Sequence, residues 1–257
     1  NCSFCAQSAH HQTDAPVYAM LPVEQILETA QRLENAGATH FSMVTSGFSP
    51  KDGDLKKVCE AARQIRETTG LKVCASLGVL TPDMARDLKA AGISNYHHNL
   101  ETARSHFDKI CTTHDYEDDI RTVRAAKSAG FTVCSGGIMG LGESWEQRLE
   151  LALTLRELDV DSVPINFLNP IPGTRLAHMS LMEPMEALKC IALFRFVLPQ
   201  KAITICGGRE VVLRDFQSWV FSAGASGLMS GDYLTTKGRN IKTDMEMIAQ
   251  LGFEIKG

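Results

Sequence analysis

Cys2-Ser3-Phe4-Cys5 places two thiols at a spacing from which both can grip one metal ion or one iron–sulfur cluster. The pair alone leaves the choice open. A zinc ribbon would add a second C-x-x-C, and the sequence carries none. A thioredoxin-like redox pair fits the spacing but lacks its usual fold context. Cys74 and Cys134 stand in near-parallel settings, Lys72-Val73-Cys74-Ala75-Ser76-Leu77-Gly78 and Thr132-Val133-Cys134-Ser135-Gly136-Gly137, and Cys206 begins Cys206-Gly207-Gly208-Arg209-Glu210. The small residues after each let a ligand or cluster approach the backbone closely. Core packing is the plain alternative for all three; matching positions on different strands favour ligation. Cys59 and Cys190 lie in amphipathic helices and read as small buried hydrophobes, while Cys111, before Thr112-Thr113-His114, suits either role.

Arg209 beside a strand end is costly to bury unless something needs its charge; its plain alternative is a salt bridge with Glu210 or Glu101. The run Gly136-Gly137-Ile138-Met139-Gly140-Leu141-Gly142-Glu143 follows a strand and opens a helix, the setting of a phosphate or nucleotide loop. It departs from G-x-G-x-x-G and has no P-loop Lys, so it reads as a turn against which a bulky cofactor can sit. Asn99 and Glu101 fall at alternate positions of a predicted strand and so share a side. An amide and a carboxylate placed that way suit a ribose diol or a urea-like group, or else a hydrogen-bonded layer of the core. His97 and His98 are adjacent, face opposite sides, and read as structural.

These residues must be positioned by a repeating unit. Apolar periodicity and Gly stops predict helices over 23–35, 55–69, 82–91, 116–129, 145–158, 184–197 and 213–223. Each leads into a β-rich segment, over 40–44, 71–75, 95–100, 131–135, 162–167, 202–206 and 226–229. Strands alternating with helices predict a parallel sheet. Right-handed crossovers repeated in this way close a barrel, whose chemistry sits at the C-terminal strand ends. There lie Cys74, Cys134 and Cys206, expected to point into one cavity, with Asn99, Glu101, Asn166 and Arg209. A complete barrel needs an eighth strand, expected before Asn1; the alternative is an open doubly wound sheet.

The chain's 257 residues fit one large domain over 1–257, and 44% hydrophobic with 22% charged residues is ordinary globular composition. A net charge of −4 gives no reason to expect a nucleic-acid partner. No apolar run approaches the roughly 20 residues that cross a bilayer, so no membrane partner is expected. Eight cysteines in a chain this long argue for core packing and metal ligation rather than a secreted disulfide scaffold, and the expected location is cytoplasmic.

Cys2-Ser3-Phe4-Cys5-Ala6-Gln7-Ser8 resembles the last two cysteines of the C-x-x-x-C-x-x-C loop of the radical S-adenosylmethionine enzymes; by that spacing the first cysteine falls before Asn1. The rest is similar, end to end, to the biotin synthase family among them. The carrying segments are His98-Asn99-Leu100-Glu101-Thr102, 133–143, Ser162-Val163-Pro164-Ile165-Asn166, Gly207-Gly208-Arg209-Glu210 and Gly231-Asp232-Tyr233-Leu234-Thr235-Thr236. The resemblance implies an α/β fold, a (β/α)8 TIM-type barrel, with a 4Fe-4S cluster chelated by S-adenosylmethionine and a deeper auxiliary cluster that donates sulfur. It implies dethiobiotin as substrate, a reduced flavodoxin or ferredoxin as electron donor, and a homodimer. Residue by residue, Cys2 and Cys5 match 4Fe-4S ligands, Phe4 and Ile138 adenine contacts, and Asn99 and Glu101 ribose and substrate contacts. Asn166 matches a contact to the ureido ring, and Cys74, Cys134 and Arg209 match auxiliary-cluster ligands.

The chain departs from that pattern. Ser42 stands where the family's 2Fe-2S site has a further cysteine, and Cys206 stands where many relatives have Ser. The expected auxiliary set is therefore Cys74, Cys134 and Cys206, with Arg209 or Cys111 nearby, around a cluster that need not be 2Fe-2S. Asp119 replaces a basic residue that some relatives place near the methionine carboxylate, a contact expected either to have moved to Arg121 or to have been lost. Competing readings are another radical enzyme of this architecture, such as a hydrogenase maturase or a methylornithine synthase, a non-catalytic iron–sulfur carrier, and an aldolase-like barrel. The last would want a Schiff-base Lys or an acid–base pair at a strand end.

Overall fold

The computed structural model describes residues 1–233 and 235–254; Leu234, within one family-like segment, and residues 255–257 lie outside the described residues. Helix α1 (Val23–Asn35) leads to strand β1 (His40–Val44), α2 (Asp52–Thr68) to β2 (Lys72–Ser76), and α3 (Pro82–Ala90) to β3 (Asn95–His97). Then come α4 (Arg104–Ile110), α5 (Tyr116–Ser128), β4 (Thr132–Cys134), β5 (Gly137–Met139), α6 (Trp145–Glu157) and β6 (Ser162–Phe167). The chain continues through α7 (Pro184–Val197), β7 (Ala202–Ile205), α8 (Arg209–Leu213), a 3-10 turn (Arg214–Phe216), α9 (Trp219–Ser222), β8 (Gly227–Leu228) and α10 (Ile241–Gln250). Local chemistry sets several starts. Thr81 caps α3 by accepting from Met84 N at 3.2 Å, with Pro82 at the first helical position. Ser144 and Gln147 form a reciprocal capping box on α6.

The chain divides into two compact units with interleaved segments. One comprises Pro16–His98 and Glu117–Cys134. Its sheet runs β1-β2-β3-β4, all parallel, with Ser42 in register with Cys74 and His97 with Cys134. The pleat gives it two faces. Phe41, Met43, Val73, Ala75, Tyr96 and Val133 are buried on one; the other carries Ser42, Cys74, His97 and Cys134. Tyr96, fully buried, donates to Gly78 O at 2.7 Å and accepts from Leu77 N at 3.2 Å, which fixes the chain leaving β2.

The other unit comprises Asn1–Ala15, Asn99–Tyr116 and the chain from Ser135 onward. Its sheet runs β5-β6-β7-β8, again all parallel, with Ile138 in register with Asn166 and Ile165 with Ile205. Val163, Ile165, Phe167, Ile203 and Ile205 are buried, so each strand sends its alternate residues, Asn166 and Thr204 among them, to the opposite face. Helix α6 packs on α7 and α4, and α8 packs on β6 and α7.

Four expectations change. The segment over 95–100 is strand only to His97, and Glu101 is left-handed at φ 63, so Asn99 and Glu101 do not share a strand face. Gly137–Met139 is strand β5 rather than part of a turn. The single helix expected over 213–223 is broken into short pieces, and Arg214 at φ 47 marks the break. Helices α4 and α10 were not expected. Among the described residues no helix is long and apolar enough to cross a membrane.

Candidate iron–sulfur and cofactor site

The Cys2–Cys5 loop is a tight turn closed by Cys5 N donating to Cys2 O at 3.0 Å. Backbone and side-chain bonds hold it on both sides. Buried Ser3 donates from N and from Oγ to Ile110 O, both at 2.9 Å, and its carbonyl accepts from Leu176 N at 3.2 Å. Asn1 Oδ1 accepts from Thr112 N at 2.9 Å, and the His11 ring bonds Cys5 O through Nδ1 at 2.9 Å. Burial pushes the Cys2 thiol up to about 12, helped by neighbouring Cys111 and by the charge of Glu101. A metal's positive charge reverses that preference, because a coordinating thiol is deprotonated outright. Among the described residues no three His, Cys, Asp or Glu side chains gather to hold a single ion. Two thiols on one rigid turn instead fit a cluster, whose irons take most of their ligation from inorganic sulfide.

Beside the loop lies an apolar shelf. Phe4 and Ile138 both pack on the buried cluster of Ile110, Leu141 and Leu168, with Leu176 and Met179. The two residues expected to meet adenine are thus brought to one surface. Glu101 lies beside the same strand: Ile138 N donates to Glu101 O at 2.8 Å. Asn99 Oδ1 accepts from Gly136 N at 3.2 Å. Asn166 Oδ1 accepts from Gly207 N at 3.0 Å, and its Nδ2 reaches Gly137 O at 3.4 Å. Asn99, Glu101, Ile138 and Asn166 therefore lie on or beside β5 and β6, with Phe4 packed on the same apolar cluster as Ile138. The glycines serve this packing. A Cβ on Gly136 would collide with the Pro164 carbonyl, and one on Gly137 would lie 2.5 Å from Glu101 O. Neighbouring backbone, rather than a cofactor, fills the space expected to need small residues at these two positions.

In the other unit Cys74 and Cys134 are close enough to interact. Burial raises the Cys74 thiol to about 11, with Cys134 adding to the shift. Cys74 Sγ also bonds Lys72 O at 3.9 Å. Ser42, expected from the resemblance to stand at a cysteine position, is in register with Cys74 on the neighbouring strand. Asp119 accepts from His98 Nε2 at 2.8 Å, with both side chains largely buried. Asp119 thus pairs with His98, a residue read from the sequence as structural.

Cys206 is buried at the end of β7, bonded through Sγ to Thr204 O at 3.6 Å. Arg209 faces elsewhere. Fully buried, it donates from Nη1 to Gln217 Oε1 at 2.7 Å, from Nε to Met229 O at 3.3 Å, and from Nη2 to Asp244 Oδ2. Asp244, itself buried, also accepts from Ser230 Oγ at 2.6 Å. This is the ionic alternative foreseen for Arg209, with Asp244 as its main partner; Glu210 lies at 3.5 Å. Tyr233 OH bonds Glu210 Oε1 at 2.7 Å and Cys206 O at 3.2 Å. Sequence reasoning missed Tyr233, Gln217 and Asp244, whose partners are distant in sequence; only a buried Arg's need for a carboxylate could have signalled one of them.

Residues 1–155 match the Radical SAM superfamily, and residues 164–254 match the Biotin and Thiamin Synthesis associated domain. A crystal structure of methylornithine synthase aligns over 100% of this chain and 79% of its own, at 20% identity and TM-score 0.83. The FeFe-hydrogenase maturase from Carboxydothermus hydrogenoformans aligns over 98% of this chain and 63% of its own, at 18% identity and TM-score 0.81. These likenesses show the fold: this is an α/β protein of the TIM-type radical S-adenosylmethionine class. Sequence similarity narrows the class. The chain is 62% identical over 248 residues to the biotin synthase of Syntrophus aciditrophicus, covering 96% of this chain and 76% of that one. It is 56% identical to the biotin synthase of Geobacter metallireducens, over 100% of this chain and 78% of that one. The chain belongs to the biotin synthase family.

Proposed function

We propose that this chain converts dethiobiotin to biotin by radical insertion of sulfur. Cys2 and Cys5 hold a 4Fe-4S cluster, and S-adenosylmethionine lies on the shelf of Phe4 and Ile138. The observation that carries this reading is the rigid two-thiol turn set beside that shelf, with Asn99 and Glu101 at its edge. When bound, the cluster and S-adenosylmethionine would together supply 5′-deoxyadenosyl radicals, one for each of the two unactivated C–H bonds that are broken.

The chain's own residues bind and orient. Phe4 and Ile138 offer the adenine an apolar face. The Glu101 carboxylate and the Asn99 amide suit the ribose hydroxyls, acceptor and donor together. The Asn166 amide, anchored on Gly207 N, presents its NH2 group to the ureido carbonyl of the substrate. Cys74 and Cys134 are proposed as thiolate ligands of an auxiliary iron–sulfur cluster, 2Fe-2S or a variant type, that serves as sulfur source. Cys206 is a further candidate ligand. Arg209, tied to Asp244 and Gln217, is better assigned to the scaffold. A reduced flavodoxin or ferredoxin as donor, a homodimeric state and a cytoplasmic location complete the reading; a reducing compartment suits eight free thiols.

The test is anaerobic reconstitution of the full-length protein with iron and sulfide, followed by reduction with S-adenosylmethionine and dethiobiotin. Biotin and 5′-deoxyadenosine should both form, and both should vanish in Cys2→Ala and Cys5→Ala. Formation of 5′-deoxyadenosine without biotin would assign the chain to another radical reaction. Absence of both from the wild type would leave an iron–sulfur carrier. Anaerobic Mössbauer and EPR spectra of Cys206→Ser test the auxiliary set, and an unchanged auxiliary signal removes Cys206 from it.

A further inference from the structure

We infer that Arg148 is a positioning residue for S-adenosylmethionine: buried between two carboxylates, it holds the turn that carries Leu141, and with it the apolar shelf that meets the adenine. The inference rests on the reading of the Phe4–Ile138 shelf as the S-adenosylmethionine site.

Helix α6 is built the wrong way round for an ordinary surface helix. Trp145, Leu149 and Leu153, spaced four apart along one side, are 41%, 38% and 37% exposed, while Arg148 on the same helix is 5% exposed. An arginine on a surface helix normally lays its stem on apolar surface and keeps its guanidinium in water. Burying that group is costly unless its charge is needed. Here the charge is met twice. Arg148 Nε donates to Glu143 Oε1 at 2.7 Å, and Nη1 donates to Glu186 Oε1 on α7 at 2.6 Å. The guanidinium also lies over the Trp145 ring, 4.6 Å from its centroid.

Glu143 carries that grip to the turn leaving β5. The same Oε1 accepts from Gly140 N at 2.9 Å. Its Oε2 is buried and, among the described residues, has no hydrogen-bond partner, so the carboxylate is held through one oxygen. Gly140 is left-handed at φ 95, a conformation that suits glycine and turns the chain toward Leu141. The Leu141 carbonyl accepts from His106 Nε2 on α4 at 3.2 Å. Leu141 itself is a buried member of the cluster on which Phe4 and Ile138 pack. An unbroken series of contacts thus runs from α7 through Arg148 and Glu143 to the floor of the shelf. Without the guanidinium, the Glu143 carboxylate is a buried charge left with one N–H donor. It turns toward water, Gly140 N is released and Leu141 moves. The loss falls on the ligand that lies on the shelf.

The test is equilibrium dialysis of labelled S-adenosylmethionine against the full-length protein, reconstituted with iron and sulfide and left unreduced so that nothing turns over. Arg148→Met should weaken binding about tenfold, the value of one lost hydrogen bond. KM for dethiobiotin at saturating S-adenosylmethionine should not change. Glu143→Gln combined with Arg148→Met removes both charges but keeps an amide oxygen for Gly140 N, and should recover most of the binding. Glu143→Ala combined with Arg148→Met strands no charge and offers no acceptor, so it should bind weakly and keep the comparison usable if the single variant does not fold. Wild-type affinity in Arg148→Met overturns the inference, as do equal affinities in the two double variants. An equal loss toward dethiobiotin also overturns it, because that marks general unfolding. A wild-type protein that binds no S-adenosylmethionine overturns the underlying reading instead, and shows it before any variant is made.

Discussion

Asp244→Ala should be among the most destabilising single changes in the unit that carries Cys206. Arg209 is 0% exposed and Asp244 2%, so the substitution strands a cation away from water. Removing one partner of such a pair costs about 3–5 kcal/mol. Two bonds survive, from Nη1 to Gln217 at 2.7 Å and from Nε to Met229 O at 3.3 Å, and Glu210 lies at 3.5 Å. The remaining acceptors place the loss at the lower end of that range, about 3 kcal/mol. For a chain of this size about 1 kcal/mol moves Tm by about 2 °C, so the expected drop is roughly 6 °C by calorimetry. Arg209→Met combined with Asp244→Leu removes both charges and should recover most of it, because an apolar pair of similar volume commonly replaces a buried ion pair without loss. If Asp244→Ala melts with the wild type, or if the double variant is no better than the single one, the reasoning fails. The same double variant separates scaffold from ligand: reconstituted anaerobically, it should keep its auxiliary-cluster spectrum.

Three further outcomes are expected. Gly136→Ala drives a methyl into the Pro164 carbonyl, so the purified variant should lose at least about 2 kcal/mol in denaturant unfolding; an unchanged midpoint would contradict the packing described for β5. Asn166→Ala should raise KM for dethiobiotin by about tenfold to a hundredfold, the value of one or two lost hydrogen bonds to a polar ring, measured as biotin formed per turnover; an unchanged KM removes Asn166 from the substrate site. Cys190, whose thiol burial pushes from 9.0 up to about 12, should resist iodoacetamide in the native protein at pH 8 and react once unfolded. Because its folded value is raised, the stability it contributes is complete below pH 9.0 and fades as pH rises toward about 12; native-state labelling of Cys190 by mass spectrometry would refute its burial.

Elements with strong apolar periodicity and clear punctuation were legible. The helices expected over 23–35 and 184–197 have those bounds in the structure, and the strands over 40–44 and 162–167 do too. What escaped was set by distant partners or by unusual composition. Strand β5 begins at a glycine and looks like a turn, because its conformation is imposed by pairing with β6 rather than by propensity. Glu101 was read into a strand, but its φ of 63 bends the chain so that its carbonyl meets Ile138 N. At the site, the thiol pair and the residues around the shelf were visible as types and order. Their hydrogen-bond anchors were not: Asn1 to Thr112 spans 111 positions and Ser3 to Ile110 spans 107, beyond any local rule.

The clasp on Arg209 has a consequence for the order in which the protein is made. The turn that follows Cys206 is locked by a carboxylate 35 residues further along the chain. At about 5–20 residues per second, the ribosome adds that carboxylate roughly 2–7 s after the arginine. Through that interval the guanidinium has no Asp244 to pair with, and the nascent segment bearing Cys206 waits for its clamp. Cysteine delivery and segment locking are therefore separate events in time.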